Sequence, residues 1–302
     1  MTQAPCLGLL TAVAVLAGGC ANAGLQNTDA LQQAMHADHK AAVRVLRRAN
    51  IEDTPYRIED GVTRSAFGAA DLSLVAPADV AAWDKVLGAL DDYCAALDCL
   101  ASQKASTDFA TASAGLGATL NALAKAQGVA TDDKVSVAET AVIGLGSLVL
   151  QARAQSDALS VARKADPGFQ AVIGSLIEAL GFEGDPPVPS SHGLLASYDS
   201  DFSAGTAAEA KKFKGDSISG FASLGPDQKR ASIQELQAWL KARQGHDEFV
   251  SSVKTLVSAL DKVRRAHAAL CGSDAEKASA AFAQLQAEIK GVKEIYDELK
   301  QD

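Results

Sequence analysis

The sequence predicts an all-α protein: a bundle of about eight helices that ends in an antiparallel helical hairpin. Three observations lead there. Apolar residues make up 48 % of the 302-residue chain and aromatics only 5 %, so the core must be built from alanine and aliphatic side chains. Alanine is the strongest helix former. Apolar residues recur at alternating spacings of three and four, the period of a coiled-coil-like seam, and few runs alternate with the period of a strand.

Taken in order, Thr28-Asp29 caps a first helix to about Asn50, with Leu31, Met35, Ala42, Val45 and Ala49 inward and Arg44, Arg47 and Arg48 near its C-terminal end. Ile51–Ala76 contains Pro55, Gly61 and Gly68 and no sustained period. It reads as an irregular connection, and long connections often carry function. Pro77 opens a second helix. Its seam of Val80, Trp83, Leu87, Leu90, Cys94, Leu97 and Ala101 puts Cys94 inside and turns Cys99 away, and Asp91-Asp92 falls on the outer, solvated face. Ser106 opens a third helix that Gly128 closes. Thr131-Asp132-Asp133 starts a fourth that runs to about Ala165. Within it, Ala141–Leu150 is apolar all round but far shorter than a membrane span. It reads as a helix packed on every side, with Gly144 and Gly146 allowing close contact. Asp166-Pro167-Gly168 breaks the chain before a short amphipathic helix through Leu180.

The Pro-rich stretch 183–193 is the strongest internal breaker. It divides an N-terminal sub-bundle, 28–182, from a C-terminal one, 194–302. There, Thr206–Phe221 is a weak helix, and Pro226–Gln244 is a firmer one around Ile233, Leu236 and Leu240. The hairpin, 246–301, has one seam of Phe249, Val253, Leu256, Leu260, Val263, His267 and Leu270. Gly272 stops that helix, and Ser273 with Glu276 forms a capping box for the next. The second seam is Ala278, Phe282, Leu285, Ile289, Val292, Tyr296 and Leu299.

The start of the chain has a different character. Leu7–Gly19 is apolar or small, too short to span a bilayer, and runs into Leu16-Ala17-Gly18-Gly19-Cys20. This resembles the signal peptide and lipobox of bacterial lipoproteins over the first twenty residues. The third residue before the cysteine is Ala17, where that class usually has an aliphatic residue, and the first five residues carry no Lys or Arg. The resemblance implies a leader, 1–19, cut before Cys20, which then carries lipid as the anchor. A tether, 20–27, follows, and Ala21 after the cysteine implies an outer-membrane location facing the periplasm. The seven residues after the cysteine, Ala21–Asn27, reach at most about 25 Å, so the body sits near the bilayer.

The formal net charge is −9, which argues against nucleic acid as a partner and against charge-driven adhesion to anionic lipid. Apart from Cys6 and Cys20, the cysteines are Cys94, Cys99 and Cys271. Cys94 and Cys99 lie about 140° apart around one helix. A disulfide from Cys271 to Cys94 or Cys99 and three unpaired thiols are both open.

No phosphate loop, zinc-protease or nucleophile-elbow motif is present. His36 and His39 share a helix face and form a weak metal candidate, since a zinc site needs at least three ligands. His267 lies in an apolar seam and is a candidate pH-sensitive core group. His246-Asp247-Glu248 reads as the acidic start of a helix. The sequence thus points to a non-enzymatic, lipid-anchored envelope protein without a cofactor, working through contacts with an envelope protein partner or as structural support. The alternatives are a small-ligand-binding helical module with a pocket around Trp83, Tyr93 and Trp239, and a cell-wall hydrolase.

Overall fold

The computed structural model describes residues 27–64, 73–102, 106–126, 133–152, 158–213, 221–272 and 274–298. Residues 1–26, with the leader, Cys20 and nearly all of the tether, lie outside them, as do Ser273 and Leu299. The described residues form an all-α bundle of nine helices: α1 (Thr28–Arg64), α2 (Pro77–Ala101), α3 (Ser106–Ala126), α4 (Asp133–Gln151), α5 (Ala158–Ala179), α6 (Gly193–Gly205), α7 (Ala207–Lys212), α8 (Pro226–Cys271) and α9 (Ala275–Glu298). A two-residue ribbon pairs Phe182–Glu183 with Val188–Pro189 between α5 and α6.

Helix α1 packs against α2, α8 and α9, and α5 packs against α4 and α8. The apolar cluster therefore draws on residues both before and after the 183–193 stretch, from Leu31 and Leu90 to Leu256 and Phe282. All five of the expected inner residues of α1 are fully buried. In α9, Ala278, Phe282, Leu285 and Val292 are buried against α8. The cap of α9 is Asp274, which accepts a hydrogen bond from the Lys277 N–H at 3.1 Å.

Several expected breaks do not occur. Helix α1 runs through Pro55 to Arg64, so residues 51–64 are helical rather than irregular. Pro55 cannot donate to the carbonyl one turn back, and the neighbouring Thr54 hydroxyl bonds the Asn50 carbonyl. Tertiary contacts hold the stretch in place. Arg57 pairs with Asp53 and reaches Asp201 of α6 at 2.8 Å, and Tyr56 meets Phe202 edge-on at 5.4 Å. Arg44, Arg47 and Arg48 are consequently mid-helix, where Arg47 faces Asp84 at 3.5 Å and Arg48 pairs with Glu52.

Helix α5 likewise runs through Pro167-Gly168. A proline inside a helix costs about 3 kcal/mol. Each well-buried aliphatic or aromatic side chain returns about 1.5–3 kcal/mol, and α5 buries Phe169, Val172, Ile173 and Leu176. Packing outweighs the lost hydrogen bond.

Helix α8 passes without a break through Gly245, so His246-Asp247-Glu248 is mid-helix. Its 46 residues extend about 69 Å. The second half is the expected buried seam. The first half is thinly covered, with Ile233 and Leu240 43 % and 45 % exposed, two turns apart on one face.

Helix α4 buries Val135, Ala138, Val142, Leu145 and Val149 but leaves Val137 and Leu150 exposed. It is a peripheral helix with one open face rather than one packed on every side. No helix among the described residues is long and apolar enough to cross a membrane.

Candidate functional site

The described polar core centres on His267, whose side chain is fully buried. Tyr93 reaches it from α2, and Asp166 and Phe169 reach it from α5. The Tyr93 Oη is 2.9 Å from His267 Nε2, and Asp166 Oδ1 is 2.8 Å from His267 Nδ1. The Phe169 ring stacks on the imidazole, 4.1 Å between centroids and 8° from parallel. Asp166, Phe169 and Gln170 are three and four residues apart, so they share a face of α5. The Gln170 amide donates to Asp166 Oδ1 at 3.1 Å and to the Arg264 carbonyl at 3.0 Å.

Protonation states follow from these distances. The hydrogen bond with His267 holds the Asp166 carboxyl below its usual range, against the opposing effect of burial. An ionised carboxylate only accepts, so Nδ1 carries the proton given to Asp166, and Nε2 accepts the Tyr93 hydroxyl. Burial lowers the His267 pKa and the Asp166 carboxylate only partly counters it, so the imidazole is neutral near pH 7.

Cys271 lies one turn after His267, its Sγ 3.8 Å from the same Nδ1. Burial pushes this thiol up to about 12, with Arg163 pulling the other way. Arg163 Nε donates to the Cys271 carbonyl at 2.9 Å, fixing the end of α8 against α5. This is not the arrangement of a Cys–His–Asp nucleophile. In such a triad the acid holds one ring nitrogen and the nucleophile meets the other. Here both Asp166 and Cys271 address Nδ1, Tyr93 occupies Nε2, and the thiol is protonated.

The structure settles the surroundings of the other sequence candidates. Cys94 and Cys271 are free thiols, so Cys271 is bridged to neither Cys94 nor Cys99; it sits beside His267 instead. His267 is satisfied by Tyr93 of α2 and Asp166 of α5. His36 and His39 each turn to a carboxylate of α2: His36 Nδ1 to Asp91 at 2.7 Å and His39 Nε2 to Asp84 at 2.9 Å. Asp91 and Asp92 are therefore interhelical acceptors, Asp92 from the Thr119 hydroxyl at 2.9 Å. Burial would lower the His39 pKa, but its hydrogen bonds to Asp91 and Asp84 outweigh burial and raise it.

Trp83, Tyr93 and Trp239 do not share a pocket. Tyr93 bonds His267, which lies 28 positions beyond Trp239 on the same helix, about 42 Å along its axis. Trp83 is buried in the core. Trp239 instead lines a separate cleft of about 440 Å³ with Phe202, Thr206, Arg243 and His246. The His246 ring stacks on Phe202 at 4.1 Å and bonds Asp199 at 2.9 Å.

Sequence reasoning singled out His267 but missed its partners. The spacing of His267 and Cys271 was legible as one helix turn. Asp166 was concealed because it was assigned to a chain break. Compared with known proteins, the chain matches no family model, no curated protein and no solved structure.

Proposed function

We propose that this chain is a lipid-anchored, non-enzymatic envelope protein, held by Cys20 at the outer membrane on its periplasmic side and acting through protein–protein contacts or as structural support. The observation that carries this reading is the apolar run that ends in Leu16-Ala17-Gly18-Gly19-Cys20, joined to an acidic helical body with no spanning helix among its described residues. Such a body needs the lipid to stay at a membrane, and several acyl chains on one residue give stable attachment. The geometry around His267 favours contact over nucleophilic catalysis, because Asp166 and Cys271 address the same ring nitrogen and Tyr93 meets the other. The exposed Ile233 and Leu240 on the front half of α8 also favour a contact role.

The test is to label growing cells with a fatty-acid probe, fractionate them, and compare the wild type with Cys20→Ala. Label and membrane association are expected in the wild type and lost in the variant. An unlabelled, uncleaved protein outside the membrane fraction overturns the reading.

A small-ligand-binding role is the second reading, favoured by the cleft at Trp239. A change in tryptophan emission on adding small envelope molecules, abolished by Trp239→Phe, supports it over the first.

A further inference from the structure

We propose that Asp166, His267 and Cys271 form a binding site for one divalent transition-metal ion of the zinc class, with the fourth position open to solvent. Among the described residues this is the one trio of His, Cys and acidic side chains whose ligand atoms all lie within 4.8 Å of one another. The three donors come together because His267 and Cys271 are one helix turn apart on α8 and Asp166 reaches them from α5. One nitrogen, one sulfur and one oxygen are the donors zinc accepts together.

The distances suit such an ion. Metal bonds of about 2.0–2.3 Å in tetrahedral array place the nitrogen and oxygen about 3.3 Å apart and the nitrogen and sulfur about 3.6 Å apart. The corresponding separations are 2.8 and 3.8 Å. Binding therefore needs Asp166 to withdraw by about half an ångström and Cys271 to close by less. Asp166 and Cys271 are both partly exposed, which gives an ion its way in and leaves one side for water. A thiolate, a carboxylate and a neutral imidazole together balance a 2+ charge. Arg163, bonded to the Cys271 carbonyl, opposes the cation by its charge and eases ionisation of the thiol.

The surrounding shell has the form metal sites use. A ligating histidine gives its other N–H to a fixed acceptor. When Nδ1 binds an ion its proton leaves, Nε2 takes the hydrogen, and the Tyr93 oxygen is already 2.9 Å away to accept it. Phe169 fixes the ring plane, and Gln170 bonds the carboxylate. His36 and His39 have carboxylates of α2 beside them but belong to no trio of converging donors among the described residues.

The experiment titrates the reduced, metal-free full chain with Co²⁺ alone and reads the visible bands of four-coordinate cobalt and the thiolate charge-transfer band. Both are expected in the wild type. Cys271→Ala loses the thiolate band, and Tyr93→Phe weakens binding about 10–100-fold while keeping it. Cys99→Ala and the double variant His36→Gln/His39→Gln keep wild-type spectra. Absence of both bands in the wild type, their retention in Cys271→Ala, or their loss in either control overturns the site. X-ray absorption on the wild-type zinc complex needs no variant. One sulfur at about 2.3 Å is expected, and a shell of nitrogen and oxygen alone overturns the assignment.

Discussion

Two residues of α1, Asp38 and His39, sit side by side, and the fold raises the pKa of both, so both contributions to stability fall as pH rises. Asp38 is almost wholly buried and its Oδ2 has no hydrogen-bond partner among the described residues. Burial, then the nearby Glu288 charge, raises its pKa well above the usual carboxylate range. The fold therefore holds the proton more tightly than the unfolded chain does. Its contribution is fully present below about pH 4 and is lost as pH rises through the folded value. Asp38→Asn keeps the shape without the charge. It is expected to raise the urea midpoint at about pH 7, with a smaller gain at about pH 4. An equal change at both pH values would show that the carboxyl is not the source. His39 is the raised histidine. The stability that it draws from Asp84 and Asp91 is present below about pH 6.5 and lost as pH rises through its folded value. His39→Gln is expected to flatten the fall in Tm between about pH 6 and about pH 8. A fall as steep as the wild type's would assign it to other groups. The sequence showed both histidines on one face but not the acids of α2 that they meet. Those acids lie 45 and 55 positions away, and no local spacing encodes that.

At the scale of the helix, Gly144 and Gly146 of α4 look alike in sequence and differ in the fold. A Cβ on Gly146 would fall 2.0 Å from Leu120 Cδ1 and 2.9 Å from Leu120 Cγ, so α3 crosses α4 there without room for a side chain. A Cβ on Gly144 meets nothing within 4 Å. Gly146→Ala is expected to destabilise by about 1–3 kcal/mol through overpacking. Gly144→Ala is expected to stabilise by up to about 1 kcal/mol through helix propensity. Chemical denaturation of the pair checks this, and equal effects would refute the close crossing. The same scale explains the misread boundaries. Ala158, Val161, Ala162, Ala165, Phe169, Val172 and Leu176 keep one helical period straight across Pro167. The continuity is visible in the residues, but Asp166-Pro167-Gly168 at its centre reads as a break. Pro55 gave no such clue, because the contacts that hold its turn, Tyr56 on Phe202 and Arg57 on Asp201, come from α6. The close approach is tight enough that a Cβ on Gly205 would lie 2.6 Å from the Tyr56 ring.

For the whole molecule, the continuous apolar cluster joins helices from both sides of the 183–193 stretch. Arg264 and Arg265 of α8 also reach Asp185 inside that stretch, at 3.4 and 2.7 Å. Helices that share one core unfold together, so one transition in urea is expected by far-ultraviolet circular dichroism. Two resolved transitions would favour separate sub-bundles. What the sequence determined by itself is the helical class, the inner faces of α1, α2, the second half of α8 and α9, and the turn at Gly272. These follow from the 3.6-residue period and from backbone preferences, which act between near neighbours. The site around His267 was decided by tertiary structure alone. Tyr93, Asp166 and His267 come from three helices and are 73 and 101 residues apart in the chain. Burial of the apolar stripes on α2, α5 and α8 brings them together, since hydrophobic burial is non-directional and is indifferent to sequence distance. Once there, each polar group had to find its partner among the others, because a buried polar group left without one costs about 1–3 kcal/mol.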